Sequence, residues 1–127
     1  MCDVKFYHCR HCGNLIGLIH ASGVPVVCCG EPMTQLVPNT VDASQEKHVP
    51  VIKAEGNSVK VSVGTAAHPM TQEHHIAWVY IQTSLGGQRK CLAAGGAPET
   101  EFCLTEGEKL VAAYAYCNLH GLWMAEA

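Results

Sequence analysis

Ile76-Ala77-Trp78-Val79-Tyr80-Ile81-Gln82-Thr83 is a run of β-branched and aromatic residues, followed by Gly86-Gly87. Such a run bounded by glycine predicts a strand that ends at the Gly pair. Upstream, Val49 and Val51, then Val59, Val61 and Val63, alternate about a turn at Glu55-Gly56-Asn57. Downstream, further strands are predicted at Gln88–Ala93, Glu101–Leu104, Leu110–Cys117 and Leu122–Ala125, separated by Gly, Pro or Asn. Short strands at this spacing predict a β-sandwich over residues 48–127. No segment shows a helical period, and there is no internal repeat or low-complexity tract. The fold class expected is mainly β.

Before this region, residues 38–47 (Pro38-Asn39-Thr40-Val41-Asp42-Ala43-Ser44-Gln45-Glu46-Lys47) are polar and read as a linker. Residues 1–37 hold five of the eight cysteines. Two short strands are predicted there, Leu15–Ile19 and Val24–Val27, about a turn at Ala21-Ser22-Gly23. A unit this small cannot bury enough surface to fold unaided, so a staple is expected.

The composition narrows the function classes. Charged residues make up 15% of the 127, and the net charge is −3, so nothing suggests a nucleic-acid or anionic-membrane partner. No apolar run approaches the roughly 18 residues of a membrane span. Met1-Cys2-Asp3-Val4-Lys5 lacks the layout of a signal peptide, so a cytoplasmic protein is expected. Eight Cys and eight His in such a chain point to metal or redox chemistry rather than a disulfide framework.

Cys9-Arg10-His11-Cys12-Gly13 is a CxxC turn followed by glycine, and Cys28-Cys29-Gly30 follows fifteen residues later. Four thiolates so spaced can form a tetrahedral site for iron or zinc. A pair of disulfides or a redox CxxC is the alternative. Adjacent residues of a strand point to opposite faces, so Cys28 and Cys29 can share one metal only if the backbone is distorted.

A second set lies in the β region: His48, His68, His74, His75, Cys117 and His120. All sit at predicted strand ends, where loops can gather them. His48 is expected to open a strand. Imidazoles beside a thiolate suit a redox metal or zinc. His74 and His75 should face opposite ways, so one of them is expected at the metal. Cys91 and Cys103 lie in apolar strands without a nearby His and read as small buried apolar groups. Cys2 reads as a free terminal thiol, and His8, His11 and His20 as solvated groups or neighbours of the first cluster.

The run from Cys9 to Met33 (CxxCG…VCCGEPM) resembles the desulforedoxin-type domain of the desulfoferrodoxin family, the two-iron superoxide reductases. The segments EKHVPVI, HPMTQEHHIAWVYI and YCNLHGLW resemble the catalytic domain of the same family. The resemblance covers nearly the whole chain in order. It implies a rubredoxin-like metal domain at 1–37, the linker at 38–47, and an immunoglobulin-like sandwich at 48–127. It implies two irons per chain. One is held by Cys9, Cys12, Cys28 and Cys29; the other by equatorial His48, His68, His74 and His120 with axial Cys117. It implies one-electron reduction of superoxide to hydrogen peroxide without oxygen evolution, re-reduction by rubredoxin or a similar small donor, and a homodimer. Lys47 would steer the anion and order water for protonation, and Glu46 would fill the sixth position of the oxidised iron and help peroxide leave. His75 stands where many relatives are expected to carry Tyr.

The residue types suit that chemistry. Ferrous iron with neutral imidazoles and one thiolate keeps a net positive charge that attracts an anion. The thiolate pushes electron density onto iron, as in haem–thiolate sites. A plain electron carrier, a colourless zinc-binding structural module and a dismutase are the competing functions.

Overall fold

A computed structural model of the chain describes residues 3–127, so Cys2 lies outside the described residues. The chain divides into two compact units, one ending at Val37 and one spanning Pro38–Ala127.

In the first unit β1 (Lys5–His8) is the middle strand. It pairs antiparallel with β2 (Leu15–Leu18) on one side and β5 (Thr34–Gln35) on the other. β3 (Val27–Cys28) and β4 (Glu31–Pro32) form a separate hairpin. The strand expected over Val24–Val27 shrinks to Val27–Cys28, and its partner is β4 rather than the 15–19 segment. Pro25 has no N–H to give to a ladder. The two-residue loop Cys29-Gly30 has φ of +52° and +76°, the sign pattern of a type I′ turn that favours this tight hairpin. β1 carries no period clear enough to betray it: only Phe6 of its four residues is buried.

The second unit is a sandwich. Its strands are β6 (Pro50–Glu55), β7 (Ser58–Val63), β8 (Ile76–Thr83), β9 (Gly86–Cys91), β10 (Glu99–Cys103), β11 (Leu110–Cys117) and β12 (Gly121–Glu126). One sheet runs β10-β7-β6 and the other β12-β11-β8-β9. Val59, Val61 and Val63 turn their buried face to Ile76, Val79, Ile81, Phe102, Ala113, Ala115 and Cys117, all at most 1% exposed. Alternation on β7 and near-continuous apolar character on β8 and β11 generate this core.

Three expectations change here. Gly86-Gly87 does not close the β8 region; it opens β9, across from Thr83 and Gln82. A Cβ at Gly87 would strike the Tyr80 hydroxyl, so glycine is what lets that ring lie flat across the strand. Cys91 and Cys103 are exposed, not buried. Cys103 follows the buried Phe102 and so faces outward, while Cys91 ends the edge strand β9.

Residues 38–47 belong to the second unit. Asn39 lies along β12, donating from Nδ2 to the Met124 carbonyl at 3.0 Å and accepting from Met124 N–H at 2.9 Å. The segment ends in a one-turn helix, α1 (Gln45–His48), so His48 closes a helix instead of opening a strand. A single turn offers too few residues to show a 3.6 period. The Glu46 carbonyl accepts from Ala66 N–H at 2.9 Å and from Thr65 Oγ1 at 3.1 Å. A Cβ at Gly64 would stand 2.5 Å from that same oxygen. Gly64→Ala is therefore expected to cost about 1–3 kcal/mol and to push α1 away from the 63–68 loop. Urea unfolding of the variant measures it, and an unchanged midpoint would refute the contact.

Candidate metal centres

The first unit gathers Cys9, Cys12, Cys28 and Cys29 with sulfurs all within 4.8 Å of one another. The CxxC loop closes when Gly13 N–H donates to the Cys9 carbonyl at 3.0 Å, with Gly13 at φ +81°. Cys12 N–H points at Cys9 Sγ, 3.5 Å away, and Asn14 Nδ2 points at Cys28 Sγ, 3.6 Å away. Cys29 sits in the left-handed region, which gives the distortion that adjacent ligands require. None of the seven described cysteines forms a disulfide.

Charge explains why this cluster calls for a cation. Backbone N–H groups of Cys12 and His11 lower the Cys9 thiol to about 6. Hydrogen bonding with Cys12, then with Cys9 and Cys28, pushes Cys29 up to about 12, and Cys12 raises Cys28 likewise. Four crowded sulfurs cannot all ionise without a cation among them. Zinc or iron supplies that cation, and the donor set fits either. His11 Nε2 contacts Glu31 at 2.9 Å, linking the CxxC loop to the hairpin at an exposed position.

In the second unit His48 comes from α1, His68 and His74 from the β7–β8 connection, Cys117 from the end of β11 and His120 from the β11–β12 turn. The four rings stand in a square. Adjacent centroids lie 4.7 Å (His48–His68), 4.6 Å (His68–His74), 5.1 Å (His74–His120) and 5.0 Å (His120–His48) apart, with His48 and His74 opposed at 6.4 Å. Adjacent planes cross at 72–89°.

The outer nitrogens determine which atom faces inward. His48 Nδ1 bonds the Ser44 carbonyl and His68 Nδ1 the Pro69 carbonyl, each at 2.6 Å, so both direct Nε2 to the centre. Their Nε2 atoms lie 3.2 Å apart. His120 presents Nδ1 instead, 3.2 Å from His48 Nε2 and 3.8 Å from Cys117 Sγ. His74 Nε2 is buried with no hydrogen-bond partner. A buried imidazole nitrogen left unsatisfied is costly, and a cation among the rings would satisfy it. The sequence-predicted ligand set thus meets in one place. Ligand atoms of His48, His74, Cys117 and His120 all lie within 4.8 Å of one another, and His68 joins them through its Nε2 contact with His48.

Cys117 reaches the site by a register shift between Tyr116 and Cys117 in the β11–β8 pairing. Such an irregularity re-aims a side chain at the end of a ladder. His120 N–H donates toward its sulfur at 3.4 Å. Trp123 is a supporting residue that motif reading passed over: its ring stacks on His48 at 4.8 Å, and its Nε1 donates to the His120 carbonyl at 3.0 Å. Its place three residues after His120 is the signal that was available. His75 turns away from the square, with Nδ1 3.1 Å from the Thr71 carbonyl. Glu46 and Lys47 are exposed on α1. The Glu46 carboxylate lies 3.5 Å from the Ser44 hydroxyl, outside both clusters.

Burial, reinforced by the neighbouring rings, drives His68 down to about 4 and lowers His48 and His74. The folded chain keeps these rings neutral, the form that binds metal. Below the ordinary imidazole value of 6.5 the unfolded chain takes up protons that the folded chain refuses. Stability contributed by these rings is therefore full above that value and falls as pH drops toward about 4. The urea midpoint of chelator-treated protein should fall between about pH 7 and about pH 5; a flat midpoint would contradict the burial of the rings.

Comparison with known proteins agrees with this geometry. The family described as Desulfoferrodoxin matches residues 40–126, and its N-terminal domain matches residues 3–36. The desulfoferrodoxin of Nitratidesulfovibrio vulgaris is 48% identical over 97% of this chain and 96% of its own length. The crystal structure of the superoxide reductase from Treponema pallidum superposes with a TM-score of 0.82 at 43% identity, covering 98% of this chain and 99% of that one. The one-iron superoxide reductase of Giardia intestinalis aligns with 65% of this chain and 97% of its own, with a TM-score of 0.55 and 33% identity.

Proposed function

The chain belongs to the desulfoferrodoxin family, and from that premise we propose that it is a two-iron superoxide reductase whose second centre converts superoxide to hydrogen peroxide without evolving oxygen. The observation that carries this is the square of imidazoles beside a fully buried Cys117, with one buried nitrogen unsatisfied. We assign His48, His68, His74, His120 and Cys117 to the catalytic iron, and Cys9, Cys12, Cys28 and Cys29 to the first iron. When bound, the catalytic iron supplies one electron and a coordination position for the anion.

The protein's own groups do the rest. His48 and His68 would be held as neutral ligands by carbonyl contacts, and the Cys117 thiolate would raise electron density on the metal. Lys47 immediately precedes His48 on α1 and is exposed. An exposed ammonium so placed steers an anion and holds water from which protons can be drawn. Glu46 would supply a further oxygen ligand to the oxidised iron and help peroxide leave; its exposed carboxylate lies 3.5 Å from the Ser44 hydroxyl.

Rubredoxin or a similar small carrier is the assigned donor. A homodimer is supported by the exposure of Ile19, Val24, Val27 and Val37 on the first unit. A cytoplasmic location is supported by seven described cysteines that form no disulfide. Among the described residues no helix is long and apolar enough to cross a membrane.

The test is stoichiometry under a supplied reductant. One peroxide per superoxide consumed is expected, whereas a dismutase would give one for every two and release oxygen. In the same assay Lys47→Ala should slow the bimolecular step by about tenfold or more at low salt and flatten its salt dependence. An unchanged rate and slope would remove the steering role.

A further inference from the structure

We infer that Asn118 is a positioning residue that fixes His74 at the correct separation from the Cys117–His120 turn. The backbone ladder between β8 and β11 ends at Cys117–Ile76, just where the register slips. Beyond that point His74 would be joined to Cys117 by no sheet hydrogen bond. Asn118 continues the connection. Its Oδ1 accepts from His75 N–H at 2.9 Å, its Nδ2 donates to the Glu73 carbonyl at 2.9 Å, and its own N–H donates to the His75 carbonyl at 3.2 Å. These contacts bracket His74 on both sides in sequence.

Thr71 makes a different set of contacts. Thr71 N–H donates to the His74 carbonyl at 2.9 Å, and its Oγ1 lies 3.1 Å from His74 N–H. Those bonds shape the local turn but do not relate it to β11. Asn118 alone among these side chains spans the two segments that bring His74 and Cys117 together. Both the acceptor and the donor ends of its amide are used, so neither aspartate nor leucine can reproduce the clamp. The His74 ring nitrogen Nε2 is buried without a hydrogen-bond partner. Its backbone bracket therefore has more to do than that of His48 or His68, whose rings are tied to carbonyls.

This rests on the assignment of iron to the His/Cys square, and the experiment separates the two. The reduced two-iron protein is mixed with a ferrous-iron chelator, and loss of the second iron is timed. The thiolate-to-iron absorption of the oxidised second centre is recorded in parallel. Asn118→Leu is expected to lose that iron about 10–100-fold faster and to shift the band, with the absorption of the first centre unchanged. Asn118→Asp, which keeps only the acceptor, should fall between wild type and Asn118→Leu on both readouts. Should Asn118→Leu fail to fold, Asn118→Asp decides by the same two measurements. Iron loss within about twofold of wild type and an unmoved band in the folded variant would overturn the clamp. A wild-type protein with no iron in the second centre would instead overturn the site assignment, and the clamp with it.

Discussion

Cys117→Ala is expected to lower superoxide reduction by at least about 100-fold while the sandwich remains folded. Cys117 is fully buried within the core cluster, so two roles compete for it. As a small apolar filler it would contribute only packing, and its removal would cost about 1–2 kcal/mol. As a metal ligand it would supply the one anionic donor among four neutral imidazoles. Losing it removes the charge that balances the cation and the donor that enriches the metal in electrons. The two roles separate experimentally, because a filler leaves the visible spectrum alone. The variant should lack the thiolate-to-iron band of the second centre and keep that of the first. Cys91→Ala and Cys103→Ala serve as controls: both side chains are exposed and distant in sequence from any ligand, and both variants should behave as wild type. A Cys117→Ala protein that retains band and turnover would falsify the ligand role.

What could be read from residue order alone follows physical lines. Ile76–Thr83 and Leu110–Cys117 emerged with their true limits because both strands are central and buried over most of their length. Burial on both faces leaves a continuous apolar run that punctuation delimits well. Edge and short strands were less legible. β9 begins at glycines that also serve as turn residues, and Val24–Val27 looked like a strand although Val24 and Val27 are 75% and 62% exposed. Apolar character there answers to something other than this unit's core. Cys91 and Cys103 were misjudged for a related reason: apolar neighbours in sequence say nothing about which face a residue takes. The site divides similarly. Ligand candidates were legible as residue types at strand ends, because few other roles demand so many imidazoles beside a thiol. Their supports were not. The Asn118 contact to His75 spans 43 positions, and the Trp123–His48 stack joins β12 to α1. Such pairs exist only once the sheet is closed.

Cys9→Ser is expected to unfold the first unit while the sandwich persists. Of the apolar residues described before Pro38, only Phe6 at 6% and Cys9 at 3% exposure are buried, and Ile19 is 91% exposed. Two buried side chains cannot offset the entropy of ordering such a segment. The metal must supply the difference, and binding free energies of structural four-thiolate sites are on the order of 10 kcal/mol. The N–H groups of Cys12 and His11 lower the Cys9 thiol, so serine there removes a thiolate that forms readily and that the metal needs. Iron content should fall from two per chain to one. Amide protection should vanish in β1 and β2 and remain in β8 and β11, which hydrogen exchange reads strand by strand. Persistent protection in β1 after loss of the first iron would show that the unit folds without its staple. The same protein also separates stapling from electron relay. If it reduces superoxide at the wild-type rate under a chemical reductant but not under a protein donor, the first centre is the entry point for electrons. If both reductants serve equally, the four thiolates are there to fold a domain.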